Sequence, residues 1–264
     1  MDNRKQESVN LNRPARYARL CEIRVDPKIT TPLGGLNPFA PSYDSLGQHF
    51  LNIFIEHAGL QPKHRVLEIG SGTGRIAKAL SGFIDGGKYV GFDVNSYFVD
   101  WCKQNLQYPK FSYGWYDLQH DEFNPAGKID STKFSFPYAD NSFNIVCAIA
   151  LFNHLQPDTV VQYIKEISRV LVNRGIFIGT FMLLNQQSQY SINTSGKPYI
   201  YEIQNNDAWY AYKDRPLFNV LHPELIVRRS FITNHLMLRE PIRYGEWCGS
   251  TLALTGHDVL IAKK

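Results

Sequence analysis

Alternation constrains this chain more than any other feature: between residues 65 and 184, short apolar runs take turns with segments of helical spacing. RVLEIG leads to GRIAKALSGFI, KYVGFDV to SYFVDWCKQNL, and FSYGWYD to a polar stretch from 118 to 133. FNIVCAIAL then leads to DTVVQYIKEISRVL and on to IFIGTFMLL. Strands joined through helices need right-handed crossovers, so the pattern predicts an α/β, doubly wound, mostly parallel sheet covered on both faces. FNIVCAIAL is apolar almost without a break, as a central strand with no solvent side must be. Ahead of the first strand, Leu46, Phe50, Leu51, Phe54, Ile55 and Ala58 recur at helical spacing and predict an amphipathic helix from Tyr43 to Leu60. Past residue 185 the pattern changes to a polar, aromatic-rich stretch, then a helix near 223 to 234 and strands near 236 to 243 and 257 to 263. Two late strands with no helix between them predict a C-terminal antiparallel hairpin at one edge, bringing the sheet to seven strands.

A length of 264 residues suits one such domain with a small appendage. The domain is expected at 41–264, with an insertion at about 185–220. Residues 1–40 hold seven Arg or Lys, four prolines and the pair Gly34-Gly35, which predicts an irregular arm. Two roles suit it: a solvated surface arm, or a lid over the site. The net charge of +4 is spread along the chain, without the dense basic tract of a nucleic-acid tail. No run approaches the ~18 apolar residues of a membrane span. The four cysteines are far apart and form no CxxC pair, so no metal is expected and a reducing compartment fits. The N-terminal stretch is polar and basic, without the apolar segment of a secretory signal, which makes a cytoplasmic location the expectation. The sequence carries no signal for an oligomeric state.

In an open sheet of this kind the ligand sits beyond the carboxyl ends of the strands, closest to the first strand-to-helix turn. That turn here is GSGTG, with Gly70, Gly72 and Gly74 at every second position. A dinucleotide loop would read G-x-G-x-x-G, but the sixth position is Arg75; a phosphate-cradling loop would end in G-K-[ST], which is absent. Glu68, on the strand just before the turn, would repel a pyrophosphate and suits a cationic amino group. Asp93 lies 25 residues on, at the end of the second strand, close to the ~20-residue distance at which an acid holds ribose hydroxyls. A ribose and a cationic amino-acid end without phosphate describe S-adenosylmethionine (SAM).

VLEIGSGTGR, the acid in VGFDV, FSFPYADNSFNIVCAIALFNHL and ISRVLVNRGIFIGTFML resemble, in order, the motifs of class I SAM-dependent methyltransferases. The resemblance covers residues 60 to 185 and implies a Rossmann-like fold with SAM as cofactor. NPAGKIDSTKFSFPYADNSFN and IRYGEWCG with GHDVLIAKK look like a bacterial subgroup acting on small molecules, often in glycan or secondary-metabolite pathways. Carried over residue by residue, Glu68, Gly70, Ser71, Gly72 and Gly74 line the methionine end, while Asp93 and Val94 meet the ribose. Asp117, after the third strand, occupies the place of the family's adenine-side acid, with Phe134 as an alternative neighbour. The chain departs from the family at Asn144, where an aspartate is usual, and at VNRGI, where KPGG is common. Asn144 is read as structural, and Gly175 keeps the turn.

Transfer from a sulfonium is an in-line displacement, so alignment and exclusion of water supply much of the acceleration. An oxygen acceptor gains from a base, and His154, at the tip of the fourth strand in LFNHL, is the candidate; its other reading is a packing or capping residue. His120 and Asp121 read as a solvated loop rather than a metal site. Tyr190, Tyr199, Tyr201, Trp209, Tyr210, Tyr212 and Trp247 would wall an acceptor pocket or form core. The function expected is methyl transfer to a small molecule at oxygen. Two alternatives are methylation of a peptide or protein terminus, and a non-catalytic SAM-binding partner protein. Nucleic acid is disfavoured, since LFNHL stands where an NPPY-like motif would be.

Overall fold

The computed structural model describes residues 37–38, 40–194, 202–203, 208–211 and 215–264. Its first element, α1 (Ser42–Ala58), turns Phe50, Leu51, Phe54 and Ala58 inward, leaves Ile55 exposed, and ends at Gly59, whose left-handed backbone (φ 66°) stops the helix. The chain then alternates as its periodicity requires. β1 (Arg65–Ile69) leads to α2 (Arg75–Ser81), β2 (Lys88–Asp93) to α3 (Ser96–Asn105), and β3 (Phe111–Trp115) to the 118–133 segment. β4 (Phe143–Ala148), α4 (Pro157–Val170) and β5 (Leu171–Phe181) follow. Asn95 starts α3 by accepting from the N–H groups of Tyr97 and Phe98, and Pro157 opens α4, where a missing N–H costs nothing.

Beyond β5 lie β6 (Leu183–Leu184), α5 (Gln186–Thr194), β7 (Glu202–Ile203), β8 (Trp209–Tyr210) and β9 (Val220–Pro223). The chain closes with α6 (Glu224–Thr233), β10 (Met237–Leu238) and β11 (Asp258–Lys263). The main sheet has seven strands in the order β10-β11-β5-β4-β1-β2-β3. β1 to β5 are mutually parallel, while β11 runs antiparallel to β5 and to β10, giving the C-terminal hairpin. The hairpin's first strand is shorter than its sequence pattern, because Pro241 has no N–H to continue the ladder.

Side chains alternate across the sheet and divide the core in two. On one face Leu67, Ile69, Val146 and Phe177 pack with Ile164 and Ile167 of α4 and Phe231 of α6. On the other, Val66, Ile145, Cys147 and Ile178 pack with Phe54 of α1, Ile76 and Leu80 of α2, and Cys102 of α3. Each large side chain taken fully out of water stabilises the fold by about 1.5–3 kcal/mol.

Two departures from the family pattern prove structural. Asn144 accepts from the Arg65 N–H at 2.9 Å and so ties the start of β4 to the start of β1. Gly175, expected to keep a turn, instead lies within β5, where its carbonyl accepts from the Lys264 N–H at 3.0 Å. The aromatic-rich insertion folds as α5 and a four-stranded sheet, β6-β9-β8-β7. Tyr210 is buried, Trp209 and Trp247 are half-buried, and Tyr190 is exposed, whereas Tyr199, Tyr201 and Tyr212 lie outside the described residues. The expected N-terminal arm or lid, but for residues 37, 38 and 40, also lies outside them. Among the described residues, no helix is long and apolar enough to cross a membrane.

Candidate active site

From β1 the chain moves one way across the sheet through β2 and β3, and from β4 the other way through β5. The strands part at their carboxyl ends between β1 and β4, and a cavity of about 240 Å³ lies there. Its walls are the turn after β1 (Ile69 to Gly72), the end of β2 (Phe92 to Val94), the turn after β4 (Ile149 to Leu151), and His120, Phe123 and Ser131 of the 118–133 segment.

The glycine turn is held by the neighbouring strand. The N–H groups of Gly70 and Ser71 both donate to the Phe92 carbonyl at 2.9 Å, and the Gly72 N–H donates to Asp93 Oδ2 at 2.8 Å. Gly70 has φ 71°, where a side chain is strained, and a Cβ there would stand 2.9 Å from Leu151 Cδ1, so glycine suits this point of the turn. Asp93 Oδ1 accepts from the Asn95 N–H at 2.9 Å, so one carboxylate clamps the glycine turn and the start of α3 together.

Two acids face the cavity from almost complete burial. Glu68 is 3% exposed and takes a short hydrogen bond from the Tyr89 hydroxyl. Burial pushes its pKa up to about 8, against the pull of Tyr89 and Arg75. Asp93 is 8% exposed, and burial raises it to about 6 even though backbone N–H groups at Asn95, Gly72 and Val94 favour its charge. A cation beside either group would restore the ionised form. The hydroxyl of Ser71, 4% exposed, also lines the cavity, and its oxygen has no hydrogen-bond partner within the chain. A buried hydroxyl left open is one a ligand can satisfy. This donor and acceptor set fits the polar, cationic end of SAM, with Ile69, Phe92, Phe98 and Leu151 as apolar wall.

His154 lines the cavity, as its candidate role requires. Its Nδ1 meets the Leu217 carbonyl at 3.0 Å, which makes Nδ1 the protonated nitrogen. Its Nε2 then accepts from the Asn153 carboxamide at 3.1 Å, and that carboxamide also donates to Asn219 at 3.1 Å. Enclosure drives the ring down to about 4. Both nitrogens are thus engaged within the chain, the arrangement expected of the packing residue that is its other reading. The solvated reading of His120 is overturned: it is 6% exposed, and its Nε2–H donates to the His154 carbonyl at 2.8 Å. Asp121 is the exposed member of that pair.

Of the sequence candidates, Glu68, Gly70, Ser71, Gly72, Asp93, Val94 and His154 share the cavity wall. Three others stand behind it. Gly74 turns the chain into α2 with φ 82°, and a Cβ there would stand 2.9 Å from Cys102 Sγ. Asp117 accepts from the Asn124 side chain at 3.0 Å and shapes the 118–133 segment. Phe134 packs edge-on against Phe92, with ring centroids 6.2 Å apart. Sequence reasoning missed Ala150, Leu151, Phe123, Ser131 and Tyr163 in the wall, and Tyr89 behind Glu68. Ala150 carries φ 52° and its N–H donates to Thr180 Oγ1 at 2.7 Å, a link between β4 and β5 that no local pattern records. Among the described residues, no group of three or more His, Cys, Asp or Glu side chains forms a metal site.

Residues 67–179 match a protein family described as a methyltransferase domain. YcgJ, a methyltransferase of Bacillus subtilis, is 27% identical over 128 residues, which are 48% of this chain and 44% of that protein. The chain thus matches less than half the length of that relative. A SAM-dependent methyltransferase of Methanosarcina mazei superposes with a TM-score of 0.53 at 17% identity, over 80% of this chain and 96% of its own. A Pyrococcus horikoshii protein superposes with a TM-score of 0.57 at 16% identity, over 86% and 92%. At such identities the likeness is one of fold. The matched residues span the strands that build the cavity, so this part of the chain is similar to a methyltransferase domain, and its fold is the one seen in a SAM-dependent methyltransferase.

Proposed function

We propose that this protein transfers the methyl group of SAM to a small-molecule acceptor, at oxygen. The observation that carries the reading is the Gly72 to Asp93 clamp, which brings two buried acids and the open Ser71 hydroxyl into one cavity. When bound there, SAM supplies an electrophilic methyl group on a sulfonium. The chain's own part is to bind and align. Glu68 offers a carboxylate to the amino-acid end, Asp93 offers lone pairs to the ribose, and the glycine turn lets the ligand lie against bare backbone. Phe92, Phe98 and Leu151 keep water out, which strengthens every polar contact inside. With His154 committed to Leu217 and Asn153, alignment rather than base catalysis carries the rate in this reading.

Among the described residues the walls meet in a cavity rather than a long groove, which supports a small acceptor over a peptide terminus. A non-catalytic SAM-binding partner would share the cavity and differ only in turnover. Calorimetry with SAM, S-adenosylhomocysteine, NAD and ATP tests the cofactor, and transfer of a labelled methyl group into a metabolite extract tests turnover. Micromolar affinity, roughly −8 kcal/mol, is expected for the two SAM ligands. Binding of NAD without SAM overturns the reading; binding of SAM without transfer to any metabolite reduces the protein to a partner role.

A further inference from the structure

Glu68 and Tyr89 lie on neighbouring parallel strands, where Val66 pairs with Tyr89 and Glu68 with Gly91. Residues 89 and 91 point to the same side of the sheet. A Cβ at position 91 would collide with the Tyr89 hydroxyl and stand 2.8 Å from Ser71 Cβ. The absent side chain is what lets the phenol reach Glu68 Oε2, to which it donates. The Tyr89 ring itself is held, fully buried and stacked on Phe111 with centroids 5.0 Å apart.

The surroundings of Glu68 decide its charge. Tyr43 of α1, Cys102 of α3, Tyr113 of β3 and Cys147 of β4 face it as neutral groups, since burial pushes up the ionisation of each. Arg75 of α2 favours the carboxylate, and Asp93 at the end of β2 opposes it. Burial outweighs both, and Glu68 holds a proton at neutral pH so long as no further cation stands beside it. An ammonium group brought to within a few ångström reverses that balance.

We propose that Tyr89 is a positioning residue acting through Glu68: it holds the carboxyl group at the cavity wall, and Glu68 gives up its proton when the cationic amino-acid end of a ligand arrives. This rests on the reading of the cavity as a SAM site. The O–H bond of the carboxyl breaks, the proton passes to solvent, and the ligand's ammonium charge takes its place. Tyr89 keeps its own proton throughout and stabilises the carboxylate that forms.

The test is calorimetric titration with S-adenosylhomocysteine in buffers of different ionisation enthalpy, from pH 6 to pH 8.5. 5′-Methylthioadenosine, which has the nucleoside but no amino-acid end, serves as the control ligand. Wild type is expected to release about one proton per S-adenosylhomocysteine at pH 7 and about half of that near pH 8, with affinity rising about tenfold between pH 6 and pH 7. Methylthioadenosine should release none through Glu68, and Glu68→Gln should abolish the difference between the two ligands. Tyr89→Phe keeps the stacked ring and removes only the hydrogen bond, so its release profile should move to higher pH. S-adenosylhomocysteine that binds with no proton release, or with equal release in Glu68→Gln, overturns the proposal. An unmoved profile in Tyr89→Phe removes Tyr89 from it even if Glu68→Gln fails to fold. Failure of both ligands to bind instead sinks the SAM reading itself.

Discussion

His120, in the segment after β3, donates its Nε2–H to the main-chain oxygen of His154, in the turn after β4, at 2.8 Å. The other His120 nitrogen accepts from the N–H groups of Glu122 and Phe123 at 3.1 and 3.3 Å. One buried ring therefore joins two walls of the cavity that are 34 residues apart in the chain. His120→Ala should leave the His154 carbonyl and two N–H groups unpaired and cost about 1–3 kcal/mol of stability. Urea unfolding measures that cost, and S-adenosylhomocysteine binding should weaken in parallel. A variant as stable as wild type would mean that the two walls hold together without it.

His154→Gln separates a pinning role from base catalysis. Removing a general base lowers kcat by about 10²–10⁴-fold. Glutamine keeps a donor for the Leu217 carbonyl, so kcat with a working acceptor should fall less than about tenfold. The wild-type kcat/KM profile should show no limb near the ordinary histidine pKa, because enclosure has moved this ring to about 4. A limb near pH 6.5 that the variant loses would restore His154 as the base.

At the glycine turn, Asp93→Ala removes the clamp on Gly72 and Asn95 together with the acceptor proposed for the ribose. The loss of ligand affinity should be on the order of 1.5–3 kcal/mol for S-adenosylhomocysteine. Gly70→Ala should abolish binding by a different route, forcing a side chain into left-handed backbone and against Leu151. Calorimetry on both variants checks this, and unchanged affinity in either would mean that the turn is not where the ligand sits.

His222 is buried, and its Nε2 meets the Phe152 carbonyl at 2.8 Å, with burial drawing its pKa down to about 4. A histidine depressed in the folded state binds fewer protons there than in the unfolded chain. Its stabilising share is complete above pH 6.5 and is lost as pH falls towards 4, at about 1.4 kcal/mol per pH unit. Asp93 and Asp258, both raised by burial to about 6, act in the opposite sense over part of that window. The variant difference is therefore the measurement: wild type should lose about 2–3 kcal/mol relative to His222→Gln between pH 6.5 and pH 4. A constant difference across that range would mean that His222 titrates normally.

Local signals carried far into this fold. The apolar runs from RVLEIG to FNIVCAIAL became parallel strands, and the spacing of Phe50, Leu51 and Phe54 became the buried face of α1, because both patterns repeat within a few residues. The first strand-to-helix turn, with Gly70, Ser71 and Gly72 next to Glu68, was legible for the same reason, since a turn's chemistry is written in consecutive residues. Asp93 was legible as an acid at the end of the second strand, but its clamp on Gly72 depended on β1 and β2 pairing side by side.

The fates of the titratable groups were decided at longer range. His154 looked like a base beside its own strand; Leu217, 63 residues on, takes one of its nitrogens. Glu68 looked like a ready carboxylate; burial between the sheet and its covering helices raises its pKa to about 8, although Tyr89, reaching past Gly91, donates to it. Periodicity and turn residues determine strands, helices and the glycine loop because backbone geometry acts between neighbours along the chain. Charge and basicity depend on which groups surround a side chain once water is gone, and that company is assembled only by the tertiary structure.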